Sequence, residues 1–335
     1  MNNAESRDLT YLEAIREAII QVMEQDENVY LFGEDVAEYG GAFGVSVGML
    51  EKFGKNRIIN TPISEDAIVG VAVGSALTGM RPIVEMMFSD FITIAMDEIA
   101  NQAAKIRYMF GGKAKVPLVL RTAGGGGTGA AGQHSQSLES LVAHIPGLKV
   151  VMPSSPYDAK GLLVSSIRDN NPVIFIEHKL LYKNKKIIEH VPEELYEIPI
   201  GKGVIKRSGK DLTIAAASFM VNKSLEAAQI LKEEEGIDCE VIDLRTLRPL
   251  DLDIILNSIE KTGKLLCVEE ACGFGGFMGE VAAQVVEKGF DYLDAPILRV
   301  SGKNCPVPYS LVLEDEMIPD IDRIKKGALD VLKSI

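Results

Sequence analysis

The first half of the chain alternates short β-rich apolar runs with segments of helical period, and few architectures satisfy that alternation. Strands are expected at VYLFG (29–33), RIINTPI (57–63), RPIVEMMF (81–88), VPLVLRT (116–122), LKVVMPS (148–154) and PVIFIEH (172–178). Helices are expected between them at EDAIVGVAVGSALTG (65–79), ITIAMDEIANQAAKIRYMF (92–110) and PYDAKGLLVSSIRDN (156–170). Strands that are apolar on both faces must be covered on both faces, and the intervening helices do the covering. The pattern therefore predicts an α/β fold, a doubly wound and mainly parallel sheet. The rhythm fades and charge rises over residues 180–200, LLYKNKKIIEHVPEELYEIPI. It returns with strands at DLTIAAAS (211–218), CEVIDLRT (239–246), KLLCVEE (264–270) and PILRVSG (296–302), and with a last helix near 320–334. The expected division is a first domain over 1–185, a linker over 186–200 and a smaller α/β domain over 201–335, in keeping with ordinary domain sizes.

Bulk properties narrow the classes of function. Lysine and arginine number 35 against 48 aspartates and glutamates, a net charge of −13 that disfavours nucleic acid or an anionic membrane as partner. No stretch approaches the ~18–20 uninterrupted apolar residues of a spanning helix. The start, MNNAESRDLTYLEAI, carries acidic residues and lacks the basic flank and apolar core of a secretion signal. Cys239, Cys267, Cys272 and Cys305 show neither CxxC pairing nor metal-ligand spacing. They are expected as reduced thiols in a cytoplasm.

Residues 123–136, AGGGGTGAAGQHSQ, hold six glycines ahead of one histidine. Each glycine loses backbone entropy on folding, so such a run is either loose or lies close against something large. A phosphate loop is excluded, because Gly132 is followed by Gln133 and His134 where lysine and a hydroxyl residue are needed. GFGGFMGE (273–280) has Met278 where GxGxxG wants its third glycine, and reads better as a tight strand-to-helix turn. The histidines stand in no zinc-binding pattern, and no GxSxG elbow is present. His144, His178 and His190 read as a helix end, a strand exit and part of the charged linker.

Two polar residues and one helix face keep a further reading. Glu65 closes TPISE where a strand end meets a helix, a favoured place for sites in doubly wound sheets. It also reads as a first-turn acid facing the helix dipole. His134 follows a strand after a loop that permits close approach, or is a plain polar loop residue. Gly70 and Gly74 lie four apart on one helical face with Ala67 nearby, a stripe suited to close packing within the chain or across a subunit boundary.

Taken together, TPISEDAIVGVAVGSALTGMRPIVEMMFSDF, RYMFGGKAKVPLVLR, AAGQHSQSLE, PGLKVVMPSSPYDAKGLL and RDNNPVIFIEHKLLY resemble the beta subunits of thiamine-diphosphate-dependent 2-oxo acid dehydrogenase complexes. VIDLRTLRPLD and VEEACGFGGFMGE extend the resemblance into the second half, so it covers nearly the whole chain. RYMFGGKA, HIPGLKVVMPSSPYDAKGLL and EHKLLY look closest to the acetoin dehydrogenase branch, while the pyruvate and branched-chain branches share the framework.

The resemblance implies a pyrimidine-binding domain followed by a transketolase-type C-terminal domain that serves assembly. It implies an oxidoreductase active only with an alpha subunit, in a heterotetramer of two alpha and two beta chains docked to a dihydrolipoyl acetyltransferase core. The family's alpha subunit holds the cofactor's diphosphate and Mg²⁺ through a Gly-Asp-Gly motif, and no GDG occurs in this chain. This chain is then expected to hold the aminopyrimidine half of thiamine diphosphate. Glu65 matches the glutamate that bonds the pyrimidine ring nitrogen, Phe91 the aromatic wall, and Ile63 and Met87 its apolar neighbours. His134 matches the active-site histidine that handles protons or steers the lipoyl group. Leu118, Ser166, Ile167, Asp169 and Asn171 match a structural potassium site. The expected reaction cleaves acetoin and passes its acetyl unit to the lipoyl group, with oxidative decarboxylation of pyruvate or a branched-chain 2-oxo acid as the alternative. A non-catalytic scaffold and a self-sufficient transketolase-like enzyme are the remaining readings.

Overall fold

The computed structural model describes residues 7–334; the first six residues of the start MNNAESRDLTYLEAI, read above against the pattern of a secretion signal, lie outside the described residues. The chain divides into two compact units, one holding residues up to Gly124 together with Leu141–Ile200, the other Gly125–Ser140 together with residues from Gly201 onward.

In the first unit the apolar runs form strands Val29–Gly33 (β1), Ile58–Asn60 (β2), Arg81–Met86 (β3), Val119–Gly124 (β4), Lys149–Val151 (β5) and Val173–His178 (β6). They pair in the order β5-β6-β4-β3-β1-β2, every neighbour parallel. Every residue of β1, β4 and β6 is buried, as parallel strands covered on both faces require. The covering helices include Tyr11–Gln25 (α1), Glu65–Leu77 (α2) and Pro156–Arg168 (α3), with α1 packed on α3. Local chemistry sets two of their starts. Thr10 and Glu13 form a reciprocal capping box at α1, and Ser155 caps α3 with proline at its first turn.

One expected element breaks up. Residues 92–110 do not form a single helix but a 3₁₀ turn at Ser89–Thr93, a π-helical stretch at Glu98–Ala103 and a short α-helix at Ile106–Met109. The break coincides with two close approaches. The Glu98 side chain lies against Gly70 of α2, and a Cβ at Gly147 would stand 2.0 Å from the Ala104 carbonyl. A hydrogen bond from Ala104 N–H to the Ile99 carbonyl, 3.1 Å, shifts the ladder by one residue there. The glycine stripe of α2 is thus half used within the unit, for nothing lies within 4 Å of a Cβ at Gly74.

The second unit contains a five-stranded sheet of Val204–Arg207 (β7), Leu212–Ala216 (β8), Cys239–Asp243 (β9), Leu265–Cys272 (β10) and Leu298–Gly302 (β11), in the order β11-β10-β8-β9-β7. Only β7 runs antiparallel to its neighbour among these pairs. Helices Phe219–Glu235 (α4), Leu252–Thr262 (α5), Phe277–Gly289 (α6), Leu311–Met317 (α7) and Ile321–Leu332 (α8) accompany it. Its core joins Ile214 and Val268 of the sheet to Leu231 of α4 and to Ile324 and Ala328 of α8. α4 and α5 stop at Gly236 and Gly263, whose left-handed φ of 72° and 69° ends each helix without strain. Cys239 and Cys267 are buried free thiols pushed up to about 12 by that burial, and Cys272 and Cys305 are exposed. Among the described residues no helix is long and apolar enough to cross a membrane.

Candidate active site

The carboxyl ends of β1 and β2 bring two acids together. Glu34 follows β1 directly, and the turn after β2 leads into Glu65, the first residue of α2. They are 6% and 9% exposed. Ser64 makes no side-chain cap bond, and the first turn of α2 carries Glu65 and Asp66. Asp66 is exposed and meets the helix dipole by itself, so the dipole gives no reason to bury Glu65. Burial, then repulsion from Glu65 and Asp35, pushes the Glu34 carboxyl above its ordinary range. Its Oε1 is buried with no hydrogen-bond partner among the described residues. Two enclosed acids with an orphaned oxygen need a group that brings a donor. An aminopyrimidine carries such donors, so the residues present fit the half of thiamine diphosphate that the sequence resemblance assigns to them.

Strand β3, the other neighbour of β1, leads into Met87 and Phe91, both half-buried. Ile63, in the turn before Glu65, is 82% exposed. The sheet order therefore carries Ile63, Glu65, Met87 and Phe91 on segments that leave one edge of the sheet. Phe91 is held from behind by a relay of rings. It meets Phe88 edge-on at 5.7 Å, Phe88 meets Phe43 edge-on at 5.7 Å, and Phe43 stacks on Tyr182 at 5.0 Å. Tyr39, Phe43, Lys179, Tyr182 and Lys183 line a cavity of about 360 Å³ at the far end of the relay.

Beneath these rings lies a buried ionic network with no signal in the sequence motifs. Arg121 of β4 is 2% exposed and donates to both oxygens of Glu177 on β6, at 2.7 and 2.8 Å, and to Glu85 on β3 at 2.9 Å. Tyr182 donates to Glu177 at 2.6 Å, and Glu85 accepts from Ala42 N–H at 3.2 Å. Burial alone would lower the Arg121 pKa, but Glu177 and Glu85 raise it, so the guanidinium stays charged. Sheet register explains the meeting, since Glu85 and Arg121 are direct partners across β3 and β4, while Glu177 is paired with Ala123, two residues along β4 from Arg121.

The loop Gly125–Ser140, with His134, groups with the second unit. His134 is half-buried, and its N–H donates to the Ala131 carbonyl at 3.3 Å, a turn in which Ala131 has a φ of 63°. Gly125, Gly127 and Gly129 have φ of 83°, 87° and 69°, and a Cβ at Gly126 would stand 2.5 Å from Ile318 Cδ1. The glycines serve close packing and left-handed backbone, the denser of the two options for such a run. Of the other histidines, His178 ends β6 and accepts from Leu180 N–H at 3.2 Å, while His190 is exposed.

The positions matched to potassium lie around the end of α3 and the start of β4. Their oxygens already meet cations: Arg81 donates to the carbonyls of Ile167 at 2.9 Å and Asp169 at 2.7 Å, and Lys149 pairs with the Asp169 carboxylate. Leu118 O accepts from Val173 N–H at 2.8 Å, Ser166 Oγ donates to Leu162 O at 2.7 Å, and Asn171 donates to Asp169 from both its nitrogens. Among the described residues no group of three or more His, Cys, Asp or Glu side chains is arranged to hold a metal ion.

Comparison with known proteins shows the family of the chain. Residues 7–185 match the transketolase pyrimidine binding domain, and residues 201–324 match the transketolase C-terminal domain. The chain is 49% identical to the acetoin:2,6-dichlorophenolindophenol oxidoreductase subunit beta of Bacillus subtilis strain 168, over 98% of each. It is 47% identical to the pyruvate dehydrogenase E1 component subunit beta of Rickettsia felis, over 95% of this chain and 98% of that one. It is 45% identical to the 2-oxoisovalerate dehydrogenase subunit beta of Bacillus subtilis strain 168, over 95% of this chain and 96% of that one. A solved structure described as a split gene transketolase, inactive beta4 tetramer, shares the fold with a TM-score of 0.79 at 21% identity, covering 97% of this chain and 99% of that one. By domain content and by identity along its length, the chain belongs to the transketolase-like family of beta subunits of thiamine-diphosphate-dependent 2-oxo acid and acetoin dehydrogenases.

Proposed function

We propose that this beta subunit serves an acetoin dehydrogenase, completing its site with an alpha subunit and delivering an acetyl unit to the lipoyl group of a dihydrolipoyl acetyltransferase. The observation that carries the chemical part is the enclosed acid pair, Glu65 at the head of α2 beside Glu34 with its orphaned oxygen. When bound, thiamine diphosphate supplies the carbon nucleophile that attacks the substrate carbonyl. Glu65 would hold the pyrimidine ring nitrogen through a hydrogen bond from its carboxyl group and would assist proton movement at the ring's amine. Burial and the neighbouring Glu65 raise the Glu34 pKa, and its orphaned Oε1 would be available to a donor of the bound group. Phe91 and Met87, with Ile63 in the exposed turn before Glu65, would flank the ring, and shielding from water would strengthen the Glu65 hydrogen bond. His134 handles protons or steers the lipoyl group. The lack of a Gly-Asp-Gly motif supports an alpha subunit as holder of the diphosphate and Mg²⁺.

The choice of acetoin rests on the two acetoin oxidoreductase relatives, at 49% and 48% identity over 98% of the chain. Pyruvate is the second reading, favoured by a relative at 47%. The test is turnover by the purified alpha–beta pair of acetoin, pyruvate and branched-chain 2-oxo acids with an artificial electron acceptor. Acetoin is expected to react fastest, and turnover of pyruvate alone would refute the assignment. A potassium ion at Leu118, Ser166, Ile167, Asp169 and Asn171 would share carbonyls with Arg81, since each carbonyl has two lone pairs. Potassium should then raise the thermal midpoint over sodium, and an equal response to both ions would leave Arg81 as the cation of that loop.

A further inference from the structure

Two carboxylates of the second unit grip the glycine-rich loop on either side of its histidine. Glu270, at the end of β10, accepts from Gly126 N–H at 2.6 Å and from Ser137 Oγ at 3.3 Å, so a single oxygen closes both stems of the loop. Glu314, on α7, accepts from Gly129 N–H at 2.7 Å through its Oε2. Glu314 is fully buried, and its Oε1 has no hydrogen-bond partner among the described residues. Steric fit accompanies these bonds. A Cβ at Gly126 would meet Ile318, one at Gly129 would stand 3.1 Å from Leu311 Cδ2, and one at Gly132 would stand 3.6 Å from the Val307 carbonyl. A buried backbone N–H left without its acceptor oxygen carries a desolvation penalty, so losing these carboxyl acceptors is costly to the loop. Gly126 and Gly129 lie before His134, Ser137 after it, and between the two grips the chain turns on Ala131.

From this geometry we propose that Glu270 and Glu314 are positioning residues that set the place of the His134 imidazole through the loop backbone, all within the second unit. The proposal deepens the reading of His134 given above and rests on it for its effect on turnover, though not for its effect on the loop. The intact chain has four histidines, so the imidazole signals can be followed individually by carbon–proton NMR. In Glu270→Leu and Glu314→Leu the His134 signal should shift and broaden, while those of His144, His178 and His190 stay in place. Amide exchange at Gly126 and Gly129 should rise about 10–100-fold in the same variants. Glu270→Gln and Glu314→Gln keep an acceptor oxygen and should hold both readouts near wild type. In the enzyme assembled with its alpha subunit, kcat/KM should fall by about tenfold in the leucine variants and recover in the glutamine variants.

Two results would overturn the proposal: an unmoved His134 signal in both folded leucine variants, or glutamine variants as disturbed as the leucine ones. Should the leucine variants fail to fold, wild-type exchange decides, and Gly126 and Gly129 amides exchanging as fast as an unstructured peptide would refute it. His134→Ala separates the two layers. Unchanged turnover in that variant defeats the role of the histidine, while the NMR and exchange results still judge the grip of the two carboxylates.

Discussion

Glu65 is buried where an exposed neighbour, Asp66, already answers the helix end, and its position beside Glu34 is what a simple first-turn acid does not explain. Glu65→Gln keeps size and burial but replaces the carboxyl group. Activity of the assembled enzyme is expected to fall by about 10²–10⁴-fold with little change in melting, a loss of the size assigned to one proton-handling group. Activity near wild type would instead identify the chain as a scaffold. A second acid gives a pH signature independent of any partner. Glu139 is 6% exposed, and burial followed by repulsion from Glu269 and Glu270 raises its pKa to about 7. A carboxyl group whose pKa is higher folded than unfolded contributes stability that is complete below the unfolded value and is lost as pH rises through the folded one. Stability of the chain should therefore carry a component that declines between about pH 4.5 and pH 7, worth roughly 2–3 kcal/mol. Urea melts of wild type and Glu139→Gln across that window should converge at the acid end and separate toward neutrality, and parallel curves would contradict the assignment.

At the level of elements, the sheet of the first unit carries its own ionic lock. Arg121, Glu85 and Glu177 tie β4 to β3 and β6, and Glu85 also holds the Ala42 amide beneath the ring relay that ends at Phe91. Arg121→Met leaves two buried carboxylates without a counter-charge, so unfolding in urea should show a loss of about 3–5 kcal/mol. Replacing all three charges together by apolar residues should recover much of that loss, because the unpaired charge and not the missing pair is the main penalty. Helix α2 offers the opposite case. Nothing lies within 4 Å of a Cβ at Gly74, which is exposed in mid-helix. Gly74→Ala should stabilise the isolated chain by about 0.5–1 kcal/mol, the difference in helix propensity. No gain in the thermal midpoint would mean that the open face is already in contact in the isolated protein. The elements themselves were largely legible. The expected strands at 29–33, 81–88 and 172–178 enclose β1, β3 and β6, and that at 116–122 overlaps β4, which runs two residues further, because apolar runs report burial on both faces. The broken helix over 89–109 was not legible, and it coincides with close approaches at Gly70 and Gly147, which come from elsewhere in the chain.

For the molecule as a whole, the decisive prediction concerns what the chain lacks. Calorimetry with thiamine diphosphate and Mg²⁺ should detect little binding to the isolated chain and strong binding once an alpha subunit is added. Tight binding by the chain alone would favour a self-sufficient transketolase-like enzyme. The candidate site was readable in the sequence to the extent that its residues follow strands. Glu65, Met87 and Phe91 could be placed at strand ends from local pattern and resemblance together. Glu34 was missed, although it stands directly after a strand in the same way, because VYLFGED has no feature that distinguishes its first acid from a surface one. Glu270 and Glu314 were missed for a different reason: they meet the loop across 144 and 185 positions of chain.

The sequence by itself determined the α/β class, the places of most strands and helices, the family and the absence of a diphosphate motif, because each of these is written in local period or contiguous residues. Only the tertiary structure decided that Glu34 is buried near enough to Glu65 to be repelled by it, that Arg121 is shared by two acids, and that the glycine-rich loop is held by Glu270 and Glu314. Those facts depend on strand order and on packing between distant segments. Burial then makes the hydrogen-bond partners of each acid matter, and no local pattern carries that information.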